Sequence, residues 1–126
     1  SPTGPLRSDP ARAGGGPMMV IDSAAEDAAA DTGALRLDVG EYDEWMAGHA
    51  PQAVHIPMHD IPARLAEVPT DRRVVCVCRS GNRSRVVSGW LQARGVDAVN
   101  MAGGMRQWSA LGHAVVNDAG RQGVVI

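Results

Sequence analysis

The 126-residue chain contains no phenylalanine, one tyrosine and only two cysteines. Two cysteines as close together as Cys76 and Cys78 exclude the disulfide framework of a small secreted protein. We expect the two side chains to point to opposite sides of the chain, so that they do not pair. No apolar run approaches the roughly 20 residues that span a membrane, and the N-terminus lacks the apolar core of a signal peptide. The sequence therefore predicts a protein of the reducing cytoplasm that does not contact a membrane.

Lysine is also absent, so all 12 basic residues are arginines, and the net charge is −2. A weakly acidic chain has no general affinity for nucleic acid. Five arginines nevertheless lie between Arg72 and Arg85 without one Asp or Glu among them. This basic patch is either a site for a small anion or the solvated start of a helix.

The length and composition are those of one globular domain, with 44% apolar and 21% charged residues. Residues 1–17 are mostly Pro, Gly, Ala and Arg, so we expect them to be a disordered N-terminal extension. The domain is predicted to span residues 18–118, and residues 119–126 are predicted to form a C-terminal tail.

Strand and helix patterns alternate along the predicted domain. The predicted strands cover residues 18–21, 34–39, a short stretch around Val54, 73–77, 96–100 and 114–116. The predicted helices cover residues 23–31, 41–47, 85–94 and 105–111, with a helical turn at 62–66. This alternation predicts an α/β fold, a parallel sheet flanked by helices on both faces.

Details of the helices follow from capping and from apolar spacing. Ser23 and Glu26 fit a capping box at the start of the first helix. Apolar residues at helical spacing predict three buried faces, made of Tyr42, Trp45 and Met46, then of Val86, Val87, Trp90 and Leu91, and finally of Met105, Trp108 and Leu111. We interpret the three tryptophans as core residues rather than as a ligand platform.

Cys78 lies where the apolar run at residues 73–77 ends and a short loop leads into a helix. Backbone N–H groups and the positive end of the helix dipole then point at the sulfur and favour the thiolate, which is the reactive form. Gly81 permits the positive φ that curls loop amides inward to make an anion nest. This arrangement predicts a nucleophilic or sulfur-carrying cysteine that meets an anionic substrate. Cys76 is interpreted as a buried strand residue, with a resolving thiol as the alternative.

Three motifs, in order, resemble those of the single-domain rhodaneses, a family of thiosulfate sulfurtransferase-like proteins. The early motif contains Leu37-Asp38-Val39, Glu44-Trp45 and Gly48-His49. The active loop is Cys78-Arg79-Ser80-Gly81-Asn82-Arg83-Ser84. The closing motif is Asn100-Met101-Ala102-Gly103-Gly104-Met105 with Trp108. The resemblance covers roughly residues 18–118 and implies a rhodanese-like fold.

The resemblance implies that sulfane sulfur moves from a donor such as thiosulfate, through a persulfide on Cys78, to cyanide or a thiol. It implies substrate binding by the rest of the active loop, in which Arg79 and Arg83 hold the donor and rank above Arg85. The substrate-binding set is Arg79, Ser80, Gly81, Asn82, Arg83 and Ser84. Asp38 is implied to be a structural support near the loop. No cofactor is predicted. A metal is not predicted either, because His49, His55, His59 and His113 lack a ligand pattern.

Two other functions stay open at this stage. A persulfide relay or regulatory docking module would take its sulfur from a protein donor or pass it to a protein acceptor. A cysteine phosphatase or arsenate reductase would use a related cysteine loop, but such loops typically carry arginine six positions after the cysteine. Ser84 occupies that position, and Arg83 comes one residue early.

Overall fold

The computed structural model describes residues 20–126, so the predicted strand at 18–21 and the extension at 1–17 lie partly or wholly outside the described residues. Five strands were found in this part, β1 (Asp22–Ser23), β2 (Leu35–Asp38), β3 (Val54–His55), β4 (Val74–Val77) and β5 (Ala98–Met101). They form one sheet in the order β1-β5-β4-β2-β3, and every neighbouring pair is parallel. The prediction of a parallel α/β sheet is confirmed.

Four helices lie in the described residues. Helices α1 (Ala25–Ala30), α2 (Tyr42–Ala47) and α3 (Asn82–Gln92) connect strands, and α4 (Gly104–Ala110) follows β5. Two short 3-10 turns, Met58–Asp60 and Leu65–Glu67, take the place of the helical turn predicted at 62–66. Helix α3 begins three residues earlier than predicted because Gly81, with φ 95°, turns the chain directly into it.

The sheet is packed on both faces. One face carries Cys76 under Val87 and Leu91 of α3, whereas the other carries Val75 and Val77 with Trp108 of α4. Strand β4 is buried along its whole length, as its apolar run predicts. Cys76 and Cys78 belong to the same apolar cluster, so the expectation that they point to opposite sides is wrong. Residues two apart in extended chain share a face.

The first strand and helix differ from the sequence prediction. Ser23 pairs with Met101 in the sheet as the last residue of β1, so it does not cap α1. Ala24 is the N-cap and forms no side-chain bond, which makes the predicted Ser23–Glu26 capping box wrong. A capping box does form at α2, between Glu41 and Glu44.

Several positions predicted to be buried are exposed. Tyr42, Met46, Val86 and Leu111 all lie at the surface, with Tyr42 67% exposed. Helix α2, which connects β2 to the edge strand β3, has no fully buried residue. Of the large apolar residues predicted to be buried on the other two helices, Val87 and Leu91 of α3 and Met105 and Trp108 of α4 are buried, and Trp90 is half-buried.

The C-terminal residues lie against the domain. The predicted strand at 114–116 is reduced to isolated antiparallel bridges of Val116 with His49 and Gln122. The Val124 N–H donates to the Ala47 carbonyl at 2.9 Å, and the Gly123 N–H donates to the Val115 carbonyl at 2.9 Å. This segment therefore lies beside the carboxyl end of α2. The boundaries predicted at residues 17 and 118 stay predictions.

Candidate active site

Cys78 directly follows β4, at the carboxyl end of a strand near the middle of the sheet. Sites of open parallel sheets occur at this edge. The residue is only 1% exposed, because loop residues and the start of α4 surround it. The Met105 N–H donates to the Cys78 carbonyl at 2.8 Å, and the Arg106 N–H donates to the Arg79 carbonyl at 2.9 Å. Helix α4 thus fixes the backbone that carries the thiol.

Three hydrogen-bond donors converge on Cys78 Sγ. The Gly81 N–H lies 3.1 Å from the sulfur, the Ser84 N–H 3.4 Å and the Ser84 hydroxyl 3.3 Å. Because Gly81 is left-handed and α3 begins at Asn82, the first amides of that helix are directed into the loop. The sulfur therefore lies in a nest of donors that stabilises negative charge.

The two cysteines have opposite shifts in pKa. Burial raises the pKa of the Cys78 thiol, but hydrogen bonds from the Ser84 side chain and the loop amides outweigh it, so the net pKa lies below the ordinary value. Cys76, without such donors, has a pKa raised by burial to about 12. Cys78 is therefore the thiol that ionises more readily, whereas Cys76 is a buried core residue and stays protonated.

Behind the sulfur lies a polar chain that the sequence analysis missed. The Ser84 hydroxyl is 2.6 Å from Asn100 Oδ1, and Asn100 Nδ2 donates to Asp22 Oδ1 at 3.0 Å. A hydroxyl has one proton, so Ser84 donates to the sulfur in exchange for its bond to Asn100, and the charge of the thiolate makes the sulfur the stronger acceptor. Ser84 and Asn100 are both buried. Asn100 had two signals in the sequence, its place in the closing motif and its polar side chain inside the apolar strand β5.

Glu44 is the second residue that the sequence analysis did not place in the site. Its carboxylate accepts from Arg83 Nη1 at 2.7 Å and from Arg83 Nη2 at 2.9 Å. Arg79 Nε lies 3.9 Å from the same carboxylate. The hydrogen bond from Arg83 lowers the pKa of Glu44, so it is ionised at neutral pH. Membership of the early motif was its only sequence signal, because 39 positions separate Glu44 from Arg83 and only the fold brings the two together.

The remaining arginines of the predicted basic patch also have partners. Arg85 Nη1 lies 3.3 Å from Asp22, and Arg73 Nε lies 3.4 Å from Asp97. Arg72 Nε donates to the Gly33 carbonyl at 3.1 Å. The patch is therefore not an unopposed positive surface, because carboxylates that are distant in sequence lie against most of it.

The comparisons with known proteins agree with the geometry. A family model described as Rhodanese-like domain matches residues 22–111. The putative sulfurtransferase YtwF of Bacillus subtilis is 43% identical over 79 residues, which cover 63% of this chain and 77% of that protein. A sulfurtransferase of Allochromatium vinosum is 39% identical over 87 residues, which cover 68% of this chain and 81% of that protein.

A solved structure, that of a rhodanese-related protein from Thermoplasma volcanium, has a TM-score of 0.74 at 26% identity and covers 76% of this chain and 97% of its own. The chain belongs to the rhodanese-like family. The fold and family implied by the sequence resemblance are confirmed, and relatives of this rhodanese-like chain include sulfurtransferases.

Three other predicted site residues of this rhodanese-like chain, Ser80, Asn82 and Asp38, differ in their relation to the Cys78 sulfur. The backbone of Ser80 adds a small contribution that lowers the pKa of the Cys78 thiol, whereas Asn82 is exposed at the start of α3. Asp38 is buried and accepts from the Gly40 N–H at 2.8 Å, so its hydrogen bond is to the turn before α2 rather than to the active loop. Burial raises the pKa of Asp38.

Trp45 is half-buried and stacks on two imidazoles instead of packing in an apolar core. Its ring stacks on His49 at 3.4 Å and on His55 at 4.8 Å between centroids. Within residues 20–126, no group of three His, Cys, Asp or Glu side chains is arranged to hold a metal ion. None of the helices in this range is long and apolar enough to cross a membrane.

Proposed function

We propose that this rhodanese-like protein transfers sulfane sulfur from a donor such as thiosulfate to cyanide or a thiol through a persulfide on Cys78. The observation that carries the proposal is the convergence of the Gly81 amide, the Ser84 amide and the Ser84 hydroxyl on Cys78 Sγ. A covalent carrier needs an activated nucleophile, and the same donors suit the negative terminal sulfur of the persulfide.

In the first half of the reaction, the Cys78 thiolate attacks the outer sulfur of thiosulfate. The new S–S bond forms on Cys78 as the donor S–S bond breaks, and sulfite leaves with that electron pair. In the second half, the acceptor attacks the terminal sulfur, and the Cys78 thiolate is released as the leaving group. Cyanide thereby becomes thiocyanate, and a thiol becomes a persulfide.

The active loop supplies the remaining parts of the proposed reaction. Arg79 and Arg83 border the groove beside the loop and are the candidates for holding an anionic donor. The proposed substrate-binding set is completed by Ser80, Gly81, Asn82 and Ser84, and Asp38 supports the turn beside it. The Arg83–Glu44 ion pair means that a donor reaches Arg83 only by sharing it with Glu44.

The test is thiocyanate formation from thiosulfate and cyanide by the parent protein, by Cys78→Ser and by the matched control Cys76→Ser. We expect Cys78→Ser to lose the activity and Cys76→Ser to keep it, since only Cys78 has donors that stabilise a thiolate. Activity that survives in Cys78→Ser would move the carrier elsewhere and contradict the proposal.

The second candidate is a persulfide relay or a regulatory docking module that exchanges sulfur with a partner protein. Cys78 is only 1% exposed. Such a buried thiol favours a donor or acceptor that a partner protein delivers to the site by docking beside it. A parent protein that gains sulfur on Cys78 without forming thiocyanate supports the relay. Phosphatase or arsenate reductase chemistry is disfavoured because Ser84, rather than an arginine, contacts the sulfur at the sixth position.

We also propose a cytoplasmic location, with small-molecule or protein thiols as partners. Both cysteines are free, and hydrogen-bond donors lower the pKa of the Cys78 thiol although burial raises it. Free thiols of this kind suit a compartment in which thiols stay reduced.

A further inference from the structure

The groove beside the active loop is not a positive anion site. Its charged lining consists of Glu41, Asp43, Glu44, Arg79 and Arg83. Three carboxylates and two guanidinium groups leave a formal charge of −1 there. Glu44 forms a two-point ion pair with Arg83 and lies near Arg79, so it occupies the groups that an anionic donor would use.

Glu44 is held in this position by its own helix as well as by the arginines. Its carboxylate accepts from the Glu41 N–H at 2.7 Å, as part of the capping box of α2. The side chain of Glu44 is 20% exposed and that of Arg83 is 31% exposed. An ion pair this shielded, with two parallel hydrogen bonds, is stronger than an ordinary surface pair.

The uncharged part of the groove lining is Ile126. The adjoining pocket, which Val125 and Met105 border together with the carboxyl group of Asp38, has room for no more than about one water molecule. Thiosulfate has no carbon and gains nothing from Ile126, whereas an organic thiol in the groove buries carbon atoms against that side chain.

We propose that Glu44 is a specificity-determining residue that disfavours inorganic dianionic donors and selects sulfane sulfur carried on an organic thiol. The inference rests on the proposed sulfur transfer through Cys78. In the step, the Cys78 thiolate attacks the outer sulfur of R–S–SH, the donor S–S bond breaks, and R–S⁻ leaves. The proton stays on the terminal sulfur of the Cys78 persulfide, so atoms and charge balance.

The test compares thiosulfate with cysteine persulfide, whose amino and carboxylate groups cancel in charge. In the parent protein we expect kcat/KM for cysteine persulfide to exceed that for thiosulfate by at least about tenfold, because Glu44 repels the dianion. In Glu44→Gln we expect kcat/KM for thiosulfate to rise by about tenfold through a lower KM, with cysteine persulfide changed less than about twofold. Gln can keep the capping box while removing the charge.

The matched control is Glu67→Gln, which removes the carboxylate from a similar two-point pair with Arg64, at 2.8 Å for both bonds, on the second 3-10 turn. This variant should leave kcat/KM unchanged for both thiosulfate and cysteine persulfide. Equal use of both donors by the parent, or equal changes for both donors in Glu44→Gln, would overturn the role of Glu44. If neither donor adds sulfur to Cys78 in the parent, the proposed function fails instead.

Discussion

At the scale of single residues, the contrast between Cys76 and Cys78 shows how position sets thiol chemistry. Both side chains lie in the same apolar cluster and both are almost fully buried. Burial alone raises a thiol pKa, as it does for Cys76. Only Cys78 lies past the end of β4, where Gly81 and Ser84 donate to it. Two residues of chain thus separate a thiol that stays protonated from one that ionises more readily.

The Ser84 hydroxyl should be a measurable part of this difference. Replacing Ser84 with Ala removes a donor to a charged acceptor, which contributes about 1.5–3 kcal/mol. We expect Cys78 in Ser84→Ala to react with iodoacetamide at least about tenfold more slowly at neutral pH, with the midpoint of the pH–rate profile moved upward.

Ser88→Ala is the matched control, because Ser88 is also buried on α3 but its hydroxyl donates to the Arg85 carbonyl at 2.9 Å. Its alkylation profile should equal that of the parent. An unchanged profile in Ser84→Ala would show that the backbone amides alone activate the sulfur.

At the scale of elements, the contact between the start of α4 and the active loop holds the site together. Gly104 has φ 59°, and a Cβ built on it would lie 2.4 Å from the Cys78 carbonyl oxygen and 2.6 Å from that of Arg79. The missing side chain therefore allows the amides of α4 to reach the loop carbonyls. Helix α4 and the Cys78 loop are adjacent because β4 and β5 are neighbours in the sheet.

Gly104→Ala should accordingly destabilise the protein by at least about 3 kcal/mol, from a left-handed backbone and from overpacking together. Gly95→Ala is the matched control, because Gly95 has φ 86° with nothing within 4 Å of a built Cβ. It should cost only the backbone strain of about 1–2 kcal/mol. Urea unfolding measures the free energy of unfolding of both variants. Equal losses of stability in Gly104→Ala and Gly95→Ala would contradict a steric role for Gly104.

The elements themselves were largely predictable, whereas their ends and exposed faces were not. Apolar runs such as Val74–Val77 predict buried strands directly, since only a buried strand needs both faces apolar. Ser23 misled the prediction because pairing with β5 outweighed its capping preference. Tyr42 and Met46 misled it because an apolar helical face is buried only where the fold supplies a partner.

At the scale of the whole molecule, the parallel topology assembles the site from distant segments. Glu44 follows β2, Cys78 follows β4, and Asn100 lies in β5, and these three strands are consecutive in the sheet. The active loop was predictable from the sequence because its residues are contiguous. The Arg83–Glu44 pair and the Ser84–Asn100 bond were not, because each depends on which strands become neighbours.

The buried carboxyl group of Asp38 should make global stability depend on pH. Burial raises its pKa in the folded state, although the Gly40 N–H, His55 and His49 oppose this rise. The folded protein then holds the proton more tightly than the unfolded chain. The free energy of unfolding therefore falls as pH rises from the unfolded pKa, about 3.9, through the folded one.

Asp38→Asn removes this cost, and its amide oxygen can still accept from Gly40. We expect the free energy of unfolding at neutral pH to rise by about 1 kcal/mol, and the gain to shrink toward zero below the unfolded pKa, at about pH 3. Urea titrations at several pH values measure this. A loss of stability at neutral pH would mean that the carboxylate gains more from His55 and His49 than burial costs.

The central claim, a persulfide on Cys78, is tested most directly by peptide mass mapping after incubation with a sulfur donor. Trypsin cuts after Arg73 and Arg79, so both cysteines fall on one peptide, residues 74–79, and fragmentation assigns the added sulfur to one of them. We predict a gain of one sulfur atom on Cys78, lost again on addition of cyanide or a thiol. Sulfur on Cys76, or no added sulfur from thiosulfate or cysteine persulfide, would contradict the claim.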